Sequence, residues 1–245
     1  MPVITSLQNP TIKLIRSLAD KKYREETGLF VAEGAEVLGR ARLEGFEPVY
    51  LVSTAAAEAW GKAERLTVAE KVMQSLSAQK NAPAMLGVFR QRFTDRIEPR
   101  GIWIALEEIR DPGNLGTIIR TADAVAAQGV ILAGPSCDPY SREAVRASMG
   151  SIFGPPLARL AGARFIELCK SWPGEAIGTH LQATEDYRRT YKQPTLLVMG
   201  SEGGGLRPET AAACSALVRI LMKGGAQSLN VAVAAGLMLY EIGRG

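Results

Sequence analysis

The sequence predicts an α/β protein: a C-terminal domain with a mostly parallel sheet flanked by helices, preceded by a small N-terminal α/β domain. Three observations predict it. Four runs, Ile102-Trp103-Ile104-Ala105-Leu106, Val130-Ile131-Leu132-Ala133, Leu196-Leu197-Val198-Met199 and Leu217 to Leu221, are continuously apolar or nearly so, the pattern of strands buried on both faces. Helix-like stretches alternate with them, as crossovers between parallel strands require. The polar stretch Gln91 to Arg100, with Arg92, Asp95, Arg96, Glu98 and Pro99, marks a change in composition. It places the domain boundary near Arg96, giving domains 1–96 and 97–245.

In the first domain Ile12, Leu14, Ile15 and Leu18 recur at helical spacing, and Leu29 to Ala32, Val49 to Val52 and Met85 to Phe89 are short β-prone runs. In the second, a helix is expected from about Leu115 to Ala127 between the first two strands. Arg219 interrupts the last strand, and the C-terminal helix is expected to start near Ser228. Asp111-Pro112-Gly113 is a turn-forming triplet that ends the Ile102 strand and aims the next helix outward.

The 245 residues are 47% hydrophobic, enough for a large core in one big domain or two modest ones. Lys and Arg number 29 against 25 Asp and Glu, and the resulting net charge of +4 permits nucleic-acid binding without demanding it. The charge is local. Between residues 11 and 24, Lys13, Arg16, Lys21, Lys22 and Arg24 face Asp20 alone. That cluster is either a solvated helix face or a phosphate-contacting patch.

Cys137, Cys169 and Cys214 are odd in number and widely spaced, which indicates neither a disulfide framework nor a zinc cluster, so no metal is expected. No charged-then-apolar leader opens the sequence. The longest apolar stretch, Val231 to Tyr240, is too short to cross a bilayer, so a cytoplasmic protein without a membrane partner is expected. His180 is the only histidine, which leaves a His-based triad or a metal-bound His cluster little to draw on.

Three loops bear polar groups at the ends of apolar runs, where an α/β scaffold places ligands. The first holds Asn114-Leu115-Gly116 and leads to Arg120. Asn114 taken alone is a helix cap, but Arg120, set among Ile118, Ile119 and Ala122, needs an anionic partner from protein or ligand. The second is Gly200-Ser201-Glu202-Gly203-Gly204-Gly205, where glycine lets a ligand approach the backbone or simply makes a flexible turn. Its spacing is neither that of a dinucleotide fingerprint nor that of a P-loop, which disfavours a nucleotide-dependent oxidoreductase. The third delivers Ser228 and Asn230 to the first turn of the last helix, where Ser228 reads as an N-cap or as part of a polar ligand site.

In this order, N-L-G-x-x-x-R-x-A, G-S-E-G-x-G-L and S-L-N-V-A-V-A resemble the three motifs of the SpoU (TrmH) family of RNA ribose methyltransferases. The resemblance runs from about Ile102 to Glu241 and includes Arg146-Ala147-Ser148-Met149-Gly150, similar to a stretch that family carries between its first and second motifs. The N-terminal part, with Gln8-Asn9-Pro10, Lys13, Lys21-Lys22, Arg24 and Phe30-Val31-Ala32-Glu33-Gly34, is similar to the family's RNA substrate-binding domain, which is related to ribosomal proteins.

The resemblance implies a SPOUT-type fold with a C-terminal trefoil knot, S-adenosylmethionine as cofactor, and a homodimer whose two chains both shape the site. It also implies methyl transfer to a ribose 2′-hydroxyl in structured RNA, 23S rRNA in preference to tRNA. Carried over by motif, the reaction centre is Asn114, Arg120, Glu202, Ser228 and Asn230, and the cofactor lies against the backbone of Met199, Gly200, Ile220, Met222 and Leu229. Lys13, Lys21, Lys22, Arg24 and Arg146 are the candidate RNA contacts. The chain departs from the family at Ile220-Leu221-Met222, where a proline is usual in the middle position. A tRNA methyltransferase is the near alternative. A non-catalytic RNA-binding module is a more distant one, and the presence of all five polar positions argues against it.

Overall fold

A computed structural model describes residues 2–244. The chain divides into two compact units, Met1–Gln91 with Asp138–Gly154, and Arg92–Cys137 with Pro155–Gly245.

The first unit begins with helices α1 (Pro10–Ser17) and α2 (Lys21–Thr27). Asn9 caps α1 by accepting from the Thr11 and Ile12 amides, with Pro10 at the first turn where its missing N–H costs nothing. Gly28, in the left-handed region, closes α2. There follow β1 (Leu29–Glu33), α3 (Ala35–Leu43), β2 (Tyr50–Ser53), β3 (Glu64–Thr67), α4 (Glu70–Leu76) and β4 (Met85–Arg90). The strands form a sheet in the order β1-β4-β2-β3, antiparallel except for the β2–β3 pair. Alternation along β1 decides the packing: Leu29 and Val31 join Ile12 and Ile15 of α1 and Val72 and Met73 of α4 in one core.

Phe30 points the other way and packs at a tilt against Tyr140, with ring centroids 4.6 Å apart, while Phe89 meets Phe153 edge-on at 4.9 Å. These rings tie Asp138–Gly154 to the first unit, so a piece that the sequence assigns to 97–245 packs with the N-terminal sheet. Asp138 adds a second tie. The Arg24 side chain is 5% exposed, donates from Nε to Asp138 Oδ2 at 2.8 Å and from Nη1 to the Leu18 and Ala19 carbonyls. The expectation that Arg24 contacts RNA is therefore corrected: its charge is paired inside the unit and its Nε and Nη1 donors are committed. Lys13 remains exposed, and Lys21 and Lys22 lie within 3.6 and 3.9 Å of Glu25 and Glu26, one helical turn on.

The second unit runs through β5 (Ile102–Glu107), α5 (Pro112–Ala124) and β6 (Gly129–Ala133); the next helix, α6 (Arg142–Ala147), belongs to the first unit. It continues with β7 (Leu157–Leu160), α7 (Gly162–Ser171), β8 (Glu175–Thr179), β9 (Glu185–Asp186), β10 (Thr195–Met199), α8 (Pro208–Ala213), β11 (Ala216–Arg219) and α9 (Val231–Ile242). Seven strands align in the order β7-β6-β5-β10-β8-β11-β9, every neighbouring pair parallel. Trp103, Ala105, Ile131, Ala133, Leu196 and Val198 pack with Phe165 and Cys169 of α7 and Ala213 of α8. The alternate residues face the other side, where α9 packs on α5 and β10. Burial on both faces explains the continuous apolar runs.

Two boundaries differ from the sequence reading. Asp111, not Asn114, caps α5, accepting from the Asn114 amide at 2.6 Å, so the helix starts three residues earlier than expected. Asn230, not Ser228, caps α9, accepting from the Ala232 and Val233 amides at 2.8 and 3.4 Å.

Candidate functional site

The loops that follow β5, β10 and β11 meet at the carboxyl ends of their strands through a chain of side-chain hydrogen bonds. With its backbone amide held by Asp111, Asn114 keeps its side chain free. Its Nδ2 donates to Glu202 Oε1 at 3.2 Å, and its Oδ1 accepts from Asn230 Nδ2 at 2.9 Å. A carboxylate only accepts, which fixes both amide orientations in turn and leaves Asn230 Oδ1 for the helix amides. Glu202 also accepts from the Arg110 and Asp111 amides, each at 3.4 Å. Partial burial would raise its pKa, but its own amide, the Asn114 side chain and the Arg110 and Asp111 amides outweigh that and hold it below the usual glutamate value. One residue from each motif is thus joined around a fixed negative charge.

The glycine loop is closed, not floppy. Ser201 and Gly205 exchange two backbone hydrogen bonds of 3.1 Å, and Gly205 sits at φ +65°. A Cβ at Gly200 would lie 2.0 Å from the Gly205 carbonyl carbon, so only glycine allows the two backbone stretches to touch. Behind the loop, Glu107 at the end of β5 is fully buried and accepts from the Arg207 amide at 2.9 Å, Arg207 Nε at 2.8 Å and Thr210 Oγ1. This anchor was not foreseen. Its signal is an acidic residue ending an otherwise apolar strand, which needs partners once buried.

Beside this chain of bonds lies a cavity of about 480 Å³. Met199, Gly200, Ile220, Met222 and Leu229 all line it, together with Glu202 and Ser228. Leu221, where the resembled family has proline, is exposed and does not line the wall. Thr179, His180 and Gln182 also contribute, from the end of β8. A lone histidine carries no metal or triad, but its place at the end of a parallel strand is a usable signal. His180 Nδ1 accepts from the Gln182 amide at 3.2 Å, which leaves Nε2 as the ring's donor.

The remaining candidates lie elsewhere. Arg120 is exposed, on the face of α5 away from buried Ile118, Ile119 and Ala122, and it joins no hydrogen bond or ion pair among the described residues. By the helical rise it stands about 9 Å along the axis from Asn114. Ser228 is exposed at the rim. Lys13, Lys21, Lys22 and Arg146 are exposed residues of the first unit. No group of acidic, cysteine and histidine side chains among the described residues is arranged to hold a metal.

Comparison with known proteins fits this layout. Residues 101–240 match the SpoU rRNA Methylase family, and residues 9–87 match the MRM3-like substrate binding domain. The chain is 34% identical over 177 residues to the 23S rRNA (guanosine-2'-O-)-methyltransferase RlmB of Pseudomonas aeruginosa, covering 71% of each chain. It is 27% identical over 249 residues to the 23S rRNA guanosine 2'-O-methyltransferase RlmP of Bacillus subtilis, covering 99% of both. The structure of an AdoMet-bound rRNA methyltransferase from Sinorhizobium meliloti superposes with a TM-score of 0.90 at 41% identity, over 98% of this chain and 96% of that one.

Proposed function

The chain belongs to the SpoU rRNA methylase family, and we propose on that footing that it transfers a methyl group from S-adenosylmethionine to a ribose 2′-hydroxyl of structured RNA, 23S rRNA in preference to tRNA. The observation that carries this is the bonded series Asn230–Asn114–Glu202 beside a cavity lined by the loops after β8, β10 and β11. The cavity suits the cofactor: its volume is that of a small-molecule site, its walls are mixed, and Gly200 lets the loop that lines it close on itself.

S-adenosylmethionine supplies an electrophilic methyl group on sulfur. The protein's part is placement, and holding two reactants in line lowers a barrier by on the order of 7–11 kcal/mol. Glu202 is a fixed anion whose position Asn114 and two amides determine. Arg120 offers five N–H donors and no acceptor, so its part is charge and hydrogen bonding. It binds the adjacent RNA phosphate and stabilises the alkoxide that develops on the ribose oxygen, while that phosphate or water takes the proton.

Arg120 lies outside its own chain's bonded series, which supports a homodimer in which each site is completed from both chains. Val233, Leu237 and Tyr240 support it further: they are 53, 39 and 61% exposed and recur along one stripe of α9. The knot is supported by the path from β11, outside β8, back to α9 on β10. A cytoplasmic location is supported by three cysteines that form no disulfide. Incubation with RNA and methyl-labelled S-adenosylmethionine tests the function. Label should enter RNA with the wild type and fall at least a hundredfold with Arg120→Ala at unchanged cofactor affinity. Full turnover by that variant would remove Arg120 from the mechanism, and no transfer by the wild type would leave a binding module.

A further inference from the structure

The first unit contains a cavity of its own, of about 570 Å³, walled by the β1–α3 turn, the Ala78-Gln79 loop and α6 with Met149. We propose that it receives an unpaired base of the substrate RNA. This deepens the proposed function and rests on RNA being the substrate.

The cavity has fixed polar groups at one edge. The Glu33 side chain is 10% exposed and accepts from Ser77 Oγ, from the Ala78 amide at 3.0 Å and from Arg142 Nη1 at 3.5 Å. Arg142, 14% exposed, also donates to the Leu76 carbonyl, and its Nε has no partner. Apolar surface from Val31, Val37, Val145 and Met149 lines the rest. Backbone of unusual conformation flanks it. Gly34 sits at φ +98° with nothing within 4 Å of where a Cβ would be, and Met149, half exposed, is held at φ +49° although it is not glycine. Non-glycine residues held there cluster at binding and switch sites.

Charge selects the ligand class. Glu33, Glu36 and Glu143 outnumber Arg142 and Arg146 on the lining, which disfavours a phosphate inside. Aliphatic walls beside fixed polar groups suit a neutral heterocycle, which packs its faces on the Val and Met side chains and is read at its edge. Proteins read RNA sequence mostly at such unstacked bases, because the grooves of a duplex hide them. Residues 9–87, which match a substrate binding domain, supply the β1–α3 turn and the 78–79 loop. Exposed Arg146 at the rim is placed for the phosphate next to the inserted base.

The test compares an RNA hairpin with a single-stranded loop of mixed sequence against an uninterrupted duplex of equal length. Wild-type protein should bind the hairpin at least tenfold tighter. Ala78→Trp, which fills the cavity from an exposed position, should abolish that preference at unchanged S-adenosylmethionine affinity and unchanged melting temperature. Ala35→Trp, from the β1–α3 turn, should do the same if Ala78→Trp folds poorly. Variants that keep both the preference and methyl transfer overturn the base pocket alone. Wild-type protein that binds neither RNA overturns the RNA reading with it.

Discussion

Replacing Gly200 by alanine tests whether the glycine loop is a built cradle. The added carbon would sit 2.0, 2.2 and 2.3 Å from the Gly205 carbonyl carbon, its oxygen and the Leu206 nitrogen. All three are backbone atoms, so no side chain can swing aside and the loop must open. Opening breaks the two Ser201–Gly205 hydrogen bonds, each contributing about 0.5–1.5 kcal/mol. The loss of about 1–3 kcal/mol corresponds to roughly 5- to 150-fold weaker cofactor binding, at about 1.4 kcal/mol per tenfold. Gly203→Ala is the control, since its Cβ would meet nothing within 4 Å. Isothermal titration of both variants with S-adenosylmethionine should separate them clearly. Equal and undiminished affinity in Gly200→Ala would refute the reasoning that the loop's closure shapes the cavity.

Three further outcomes follow from the packing. Arg24→Met leaves Asp138 buried without its counter-charge and should cost about 3–5 kcal/mol in denaturant unfolding, whereas Lys21→Ala, at an exposed pair, should change stability by less than about 1 kcal/mol. Glu202 has a depressed pKa in the folded chain, so its contribution is present above the unfolded glutamate value and is lost as pH falls through the folded one. Stability to denaturant should therefore decline in acid, and Glu202→Gln should flatten that decline. Burial pushes the Cys169 and Cys214 thiols up to about 12. In native protein at pH 8 a thiol reagent should reach at most Cys137, and stability should fall as pH rises above the ordinary thiol value, because the unfolded chain ionises first.

The parallel sheet was legible because burial on both faces leaves continuous apolar runs such as Thr195–Met199, bounded by polar, glycine-bearing residues. The loops at strand ends were legible for the same reason: polar, glycine-bearing residues break those runs where the sheet stops. The partners were not. Nothing near Arg24 in sequence shows that Asp138, 114 residues away, neutralises it, and the same distance hides the attachment of Phe153 to the N-terminal sheet. Asn114 and Ser228 both looked like helix caps, since capping residues are also ligand-binding types. Only the third dimension shows that Asp111 and Asn230 do the capping. The side-chain chemistry of His180 alone gives no sign of a role, while its place at the end of β8 brings it to the cavity wall.

The most direct measurement is the chemical identity of the product. RNA methylated with labelled S-adenosylmethionine and then hydrolysed in alkali should yield the label in a dinucleotide, because a methylated 2′-oxygen cannot attack the neighbouring phosphate. Label released as a mononucleotide, or found on a base, would contradict ribose methylation by this chain.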